Sequence, residues 1–156
     1  MIIVNLSNHA KYCTRDRREM MQSVTAETHA AEAPATGNPG SEKERVITKA
    51  TLNAGENLKL TGPELAKIIG VSTATLSRLK KRKAVLKDGT KDQEMALYFV
   101  RVFRSLGALY GGNIDDMANW LRVENKTLRT APIEKMKSTA GLVRTMDYLD
   151  HFRAKV

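Results

Sequence analysis

The chain has 156 residues, which is the size of one ordinary domain or two small ones and excludes a large multidomain enzyme. Hydrophobic residues make up 42% of it and charged residues 28%, which is enough apolar material for a core and too little charge bias for wholesale disorder. The formal net charge of +9 favours a polyanionic partner, with nucleic acid as the first candidate and a membrane surface as the second.

The cysteine and histidine content argues against a disulfide and against a metal site. Cys13 is the only cysteine, so no intramolecular disulfide can form, and the reducing cytoplasm is the expected location. His9, His29 and His151 are far apart and lack metal-ligand spacing, so we expect no metal and no cofactor. No apolar run approaches the ~18 residues that cross a bilayer, and the first four residues are too short for a signal-peptide core, so we expect no membrane partner.

The positive charge is concentrated in the middle of the chain. Residues 42–110 carry 14 basic and 7 acidic side chains, whereas residues 1–41 are neutral and residues 111–156 have a net charge of +2. The first segment ends in a run rich in Pro, Gly and Ala, which is typical of a flexible linker. We therefore predict an N-terminal arm and linker at 1–41, a basic domain at 42–110 and a C-terminal domain at 111–156.

A helix-turn-helix is predicted early in the basic domain. Thr61-Gly62-Pro63-Glu64 fits a capping box, so a helix should begin there. Gly70 can adopt the positive φ that a sharp turn requires, and Ser72 can cap a second helix. The apolar residues that would pack the two helices together are Leu65, Ile68, Ile69, Val71, Leu76 and Leu79.

The second helix of this unit has a polar outer face that suits the major groove of DNA. Hydroxyl groups can bond bases or phosphates, and Arg78 can bond guanine O6 and N7 as a fork. Five basic residues between positions 78 and 83 would grip phosphates. The competing interpretation is a plain helical hairpin with a solvated basic end. The candidate DNA-binding residues are Thr73, Ala74, Ser77, Arg78, Lys81 and Arg82.

Downstream the apolar periodicity stays helical and no convincing strand is found, so we predict an all-α fold. Residues 94–110 carry one broad apolar stripe that ends at two glycines able to cap it. A short helix at 114–123, a turn of helix begun by Pro132 and a final helix from about Thr139 should follow. We expect Trp120 to anchor this C-terminal unit and Phe152 to belong to the apolar stripe of the last helix.

The C-terminal third carries a spaced pattern that, together with the helix-turn-helix, is typical of one family. Its members in order are Ala118, Trp120, Leu121, Asn125, Leu128, Pro132, Gly141, Val143 and Leu149. The chain resembles the Xre/ParS-type antitoxins that accompany RES-domain toxins, whose toxin-binding domain has W-L, N, L, P, G, V and L. The resemblance covers roughly residues 42–156. It departs where the family usually has Gly soon after the Leu, since Leu128 is followed by Arg129-Thr130-Ala131.

The resemblance implies an antitoxin without catalytic activity. Such antitoxins neutralise a toxin that degrades NAD and, with it, repress their shared operon. The last helix would cover the active site of the toxin, with Arg153 and Lys155 placed to enter a pocket for an anionic dinucleotide. The implied partners are a cognate RES-domain toxin and operator double-stranded DNA, and we expect a homodimer because helix-turn-helix proteins usually bind two-fold sites. The candidate toxin-binding residues are Arg144, Tyr148, Asp150, His151, Arg153 and Lys155.

Three other functions compete with this one. A stand-alone helix-turn-helix repressor would bind DNA in the same way and would use its C-terminal unit only to dimerise. An enzyme with a DNA-binding appendage is disfavoured, because the acidic residues lie on predicted helices without a paired His, a Cys or a Gly-rich phosphate loop. A membrane-surface role is weak, because no amphipathic face with exposed aromatics backs the basic run. The acidic residues expected to be solvated are Asp115, Asp116, Glu134, Asp147 and Asp150.

Overall fold

A computed structural model of the chain describes residues 40–154, which belong to one compact unit. The predicted arm at 1–39 and Lys155 lie outside the described residues. Within this range the chain forms helices and no strand, so the all-α prediction is confirmed. Every helix in the described range is too short or too polar to span a bilayer. The helices are α1 (Glu42–Asn57), α2 (Gly62–Ile69), α3 (Thr73–Lys80), α4 (Lys91–Leu109), α5 (Ile114–Arg122), α6 (Pro132–Met136) and α7 (Thr139–Arg153).

Side-chain caps fix where the helices begin. Ser41 and Thr61 each form a complete capping box with the glutamate three residues later. The side chain of the cap residue accepts a hydrogen bond from the backbone N–H of the glutamate, and the glutamate carboxylate accepts one from the backbone N–H of the cap residue. Ser72 caps α3 by accepting from the backbone N–H of Thr75. The predicted starts of α2 and α3 are therefore confirmed.

Helix α4 is the centre of the fold. Helices α1 and α2 pack on it from the N-terminal half of the described range, and α7 packs on it from the C-terminal half. Its inward side chains Ala96, Phe99, Val102 and Leu106 have no measurable exposure, so one core continues through both halves. The predicted boundary after residue 110 follows the end of α4 and stays a prediction.

Helix α7 runs beside α4 in the same direction. Residues at the starts of the two helices, Lys91 and Thr139, line one cavity of about 390 Å³. Farther along, the completely buried Ser105 donates its hydroxyl to Asp150 Oδ1 at 2.8 Å, and Arg101 Nη2 lies 2.6 Å from Asp150 Oδ2. The prediction that Asp150 is solvated is therefore wrong, because the buried Ser105 hydroxyl requires a hydrogen-bond partner and the carboxylate supplies it.

Helices α6 and α7 meet at Gly141 with no room for a side chain. A Cβ atom at this position would lie 1.9 Å from the carbonyl oxygen of Lys135 and 2.7 Å from its carbonyl carbon. Ser138 caps α7 by accepting from the N–H of Gly141 at 3.2 Å. The buried glycine thus sets how closely the two helices approach.

Asn125 organises the connection between α5 and α6. Its Oδ1 accepts from the backbone N–H groups of Thr127 and Leu128 at 2.9 and 3.1 Å, and its own N–H donates to the carbonyl of Thr130 at 3.1 Å. This pairing closes an isolated antiparallel bridge, and within it Arg129 has a φ of +58°. Arg129 therefore adopts the left-handed conformation that glycine accepts most easily, at the place where the expected glycine is missing.

Arg129→Gly should raise the free energy of unfolding by about 0.5 to 1 kcal/mol. The substitution removes a left-handed penalty of about 1–2 kcal/mol, and the larger entropy loss of glycine offsets part of that gain. Urea unfolding followed by circular dichroism measures the difference. Lys126→Gly is the matched control, because Lys126 is exposed in the same connection without a positive φ and should lose stability. A loss of stability in both variants would contradict the prediction.

Candidate functional site

Helices α2 and α3 form the predicted helix-turn-helix. Gly70 ends α2 in the left-handed conformation with a φ of +78°, which turns the chain toward Ser72. Leu76 and Leu79 are 3% and 2% exposed and pack α3 onto the core, whereas Val71 is only partly buried. The opposite side of α3 is consequently turned outward.

The outward side of α3 carries the predicted DNA-binding residues, and all six are exposed: Thr73, Ala74, Ser77, Arg78, Lys81 and Arg82. Positions 74, 77, 78 and 81 share one face, because residues three and four apart are neighbours on a helix. Among the described residues, none of the five basic side chains between 78 and 83 forms an ion pair. Their charge is therefore available to a polyanion.

The structure adds two basic residues to this region that sequence analysis missed. Arg45 and Lys49 of α1 line a groove of about 430 Å³ together with Lys80 and Arg82, and Glu56 is the acidic residue among the lining side chains. The positive surface of α3 thus extends onto α1. The spacing of Arg45 and Lys49 was visible in the sequence, but their approach to the end of α3 depends on tertiary packing.

Helix α5 is tied to the corner between α1 and α2. Arg122 donates to the carbonyl of Lys59 at 2.9 Å and lies 3.4 Å from Glu64 Oε1, while the Lys59 ammonium binds the carboxylate of Asp115. Desolvation raises the pKa of Glu64, but hydrogen bonds from Thr61 and Arg122 outweigh it and leave this pKa below 4.5. The hydrogen bond and charge of Lys59 lower the pKa of Asp115. Both carboxyl groups are therefore ionised at neutral pH, as these ion pairs require.

Helix α7 presents a second surface. Three of the predicted toxin-binding residues are exposed: Arg144, His151 and Arg153. Tyr148 is partly buried and shares a helix face with Arg144 and His151, at spacings of four and three residues. Asp150 is not part of this surface, because its carboxylate is held against α4 by Ser105 and Arg101.

An aromatic cluster joins α5 and α7. The ring of Tyr148 stacks on Trp120 with centroids 6.2 Å apart, and its other neighbour is Phe152 at 4.8 Å. Phe152 continues the apolar stripe predicted for the last helix, but it is 47% exposed and does not belong to the core. The reason is that the core ends at Leu149, so the last turn of α7 extends beyond it. Trp120 anchors this unit only in part, because it is itself half-buried.

The comparison with known proteins gives two family matches. Residues 41–101 match the antitoxin Xre-like helix-turn-helix domain, and residues 105–155 match the antitoxin Xre/MbcA/ParS C-terminal toxin-binding domain. None of the curated proteins that were compared matches the chain. Both matching families are antitoxin domains and not enzymes, which confirms the prediction that the chain is not an enzyme. The chain belongs to the Xre-type antitoxins and joins their DNA-binding and toxin-binding domains on one helical core.

Proposed function

We propose that this antitoxin neutralises a RES-domain toxin that degrades NAD and, with that toxin, represses their shared operon. The observation that carries the proposal is that the chain combines two domains around α4: a helix-turn-helix domain whose α3 residues are exposed, and a toxin-binding domain. Arg144, His151 and Arg153 supply exposed basic groups that suit a pocket for an anionic dinucleotide. Neutralisation follows if the last helix covers that pocket.

Co-expression tests the toxin half of the proposal. Cells that express the toxin encoded beside this chain should lose NAD, and cells that also express the antitoxin should keep it. A chain that ends at Asp150 keeps the contacts with Ser105 and Arg101, so it should stay folded and fail to protect. Equal NAD loss with and without the full chain would contradict neutralisation. A toxic partner that leaves NAD unchanged would contradict the RES class.

The DNA half of the proposal places α3 in the major groove of the operator. Two copies of the chain bind a two-fold site, because one recognition helix gives too little affinity against competing genomic DNA. The homodimer interface belongs to α4 or to the C-terminal domain. A stand-alone repressor would bind the same DNA without any toxin, and the toxin-binding match over residues 105–155 disfavours it.

Arg78→Ala should weaken operator binding by ~1–3 kcal/mol, because a fork of hydrogen bonds to guanine would be lost. Arg78 is exposed and outside every described ion pair, so the fold should be unchanged. Fluorescence anisotropy with operator DNA at one fixed salt concentration measures the effect. Arg104→Ala is the control, since it removes the same charge from the exposed side of α4. Equal losses in both variants would show that only net charge matters.

A further inference from the structure

The toxin-binding domain carries a cluster of three aromatic rings, which we call the aromatic patch: Trp120, Tyr148 and Phe152. The exposed Val123 follows Trp120 by three residues, at the end of α5. Phe152 is 47% and Val123 56% exposed, and both rank among the five large hydrophobic side chains that are exposed in the described range. A single exposed apolar residue is ordinary on a protein surface. Aromatic rings in mutual contact form a larger surface, which more often marks an interaction site.

The aromatic patch is fixed by contacts with the core and with the α5–α6 connection. Leu121 and Leu149 are each 1% exposed and belong to the core under α5 and α7, and the partly buried rings of Trp120 and Tyr148 pack against that core. Asn125 Nδ2 donates to Tyr148 Oη at 3.1 Å, and the same side chain is fixed by its contacts within the α5–α6 connection. A rigid aromatic surface loses little conformational entropy when a partner covers it.

Polar and charged groups border the aromatic patch. Arg144 precedes Tyr148 by one turn, and His151 and Arg153 flank Phe152 in sequence, all three being exposed. Acidic side chains border the patch as well: Asp116 precedes Trp120 by one turn, Asp147 precedes Tyr148, and Glu124 follows Val123, all three being exposed, whereas Asp150 is paired with an arginine of α4. An apolar aromatic centre with a polar border that carries both signs of charge has the composition of a protein–protein interface.

We propose that the aromatic patch is the principal contact of this antitoxin with its toxin, and that Phe152 is the anchoring side chain. The occupant is the toxin and not DNA, because the whole patch lies within residues 105–155, the segment that matches a toxin-binding domain. The exposed DNA-binding residues belong to α3 and its end instead. The inference rests on the proposed function, since the toxin is taken to be the one encoded beside this chain.

Phe152→Ala tests the inference. In titration calorimetry of the full chain against that toxin, inactivated by substitution, the variant should bind about 30-fold more weakly or worse, as expected for an anchoring aromatic. Its melting temperature and operator affinity should match those of the unsubstituted chain, because Phe152 contributes little to the core. Leu97→Ala is the matched control: Leu97 is 44% exposed on α4, outside the toxin-binding match, and should change toxin affinity less than about 2-fold.

Unchanged toxin affinity in Phe152→Ala would overturn the inference. So would a change from dimer to monomer in sedimentation with toxin affinity retained, because the patch would then join two copies of the chain. Failure of the unsubstituted chain to bind the toxin would instead contradict the proposed function. If Phe152→Ala lowers the melting temperature, Val123→Asp provides a second test, since Val123 is 56% exposed and the charge should still weaken toxin binding at least 10-fold.

Discussion

Gly141→Ala should lower the free energy of unfolding by roughly 3 kcal/mol, which is the upper range for adding one methyl group to a packed site. The new Cβ would meet the backbone carbonyl of Lys135 at 1.9 Å, and a backbone group cannot move aside as a flexible side chain does. Helix α6 would have to separate from α7, and the contacts of α7 with the rest of the core would loosen. Urea unfolding at a fixed temperature measures the loss.

Gly107→Ala is the matched control for this substitution. Gly107 also lies within a helix, but a Cβ there would have no atom within 4 Å. Alanine is favoured over glycine in helices by up to ~1 kcal/mol, so this variant should be slightly more stable. If both variants lose the same stability, close approach at residue 141 is not the cause.

Leu106→Ala should cost about 2–5 kcal/mol and should destabilise both halves of the described chain together. Leu106 is completely buried on α4, and its helix packs against α1, α2 and α7. Trp120 is the only tryptophan, so its fluorescence reports the toxin-binding domain, while circular dichroism reports all helices. The two signals should shift to lower urea concentration by the same amount.

A different outcome would contradict the shared core. Suppose the fluorescence transition moved to lower urea concentration, but most of the circular dichroism signal was still lost at the urea concentration seen for the unsubstituted chain. The two halves would then be folding independently. Leu97→Ala supplies the reference, because Leu97 lies on the same helix and is exposed. Its effect should stay within about 0.5 kcal/mol, as for most surface substitutions.

Local signals explain what the sequence predicted well. The capping box joins Thr61 to Glu64, three residues apart, so its geometry is contained in the residue types and their spacing. The left-handed turn at Gly70 is similarly local. The outward face of α3 then followed from helical periodicity, which assigns Leu76 and Leu79 to the opposite side.

Long-range contacts explain the errors and omissions. Asp150 was expected to be solvated because nothing in its own helix indicates Ser105, its partner 45 residues earlier. Phe152 fitted the apolar stripe of α7, and only the packing shows that the core ends one turn before it. The approach of Arg45 to the end of α3 likewise depends on how α1 packs. In each case the environment of the side chain depends on tertiary packing, which sequence spacing does not specify.

The central position of α4 has a consequence for turnover of the antitoxin. Its buried face would be uncovered if a protease removed either half, because Phe99, Val102 and Leu106 have no exposure in the intact fold. A fragment that retained only the helix-turn-helix would therefore lose core contacts and stability. Under the proposed function, one proteolytic event would free the operator and release the toxin simultaneously, without a separate signal for each.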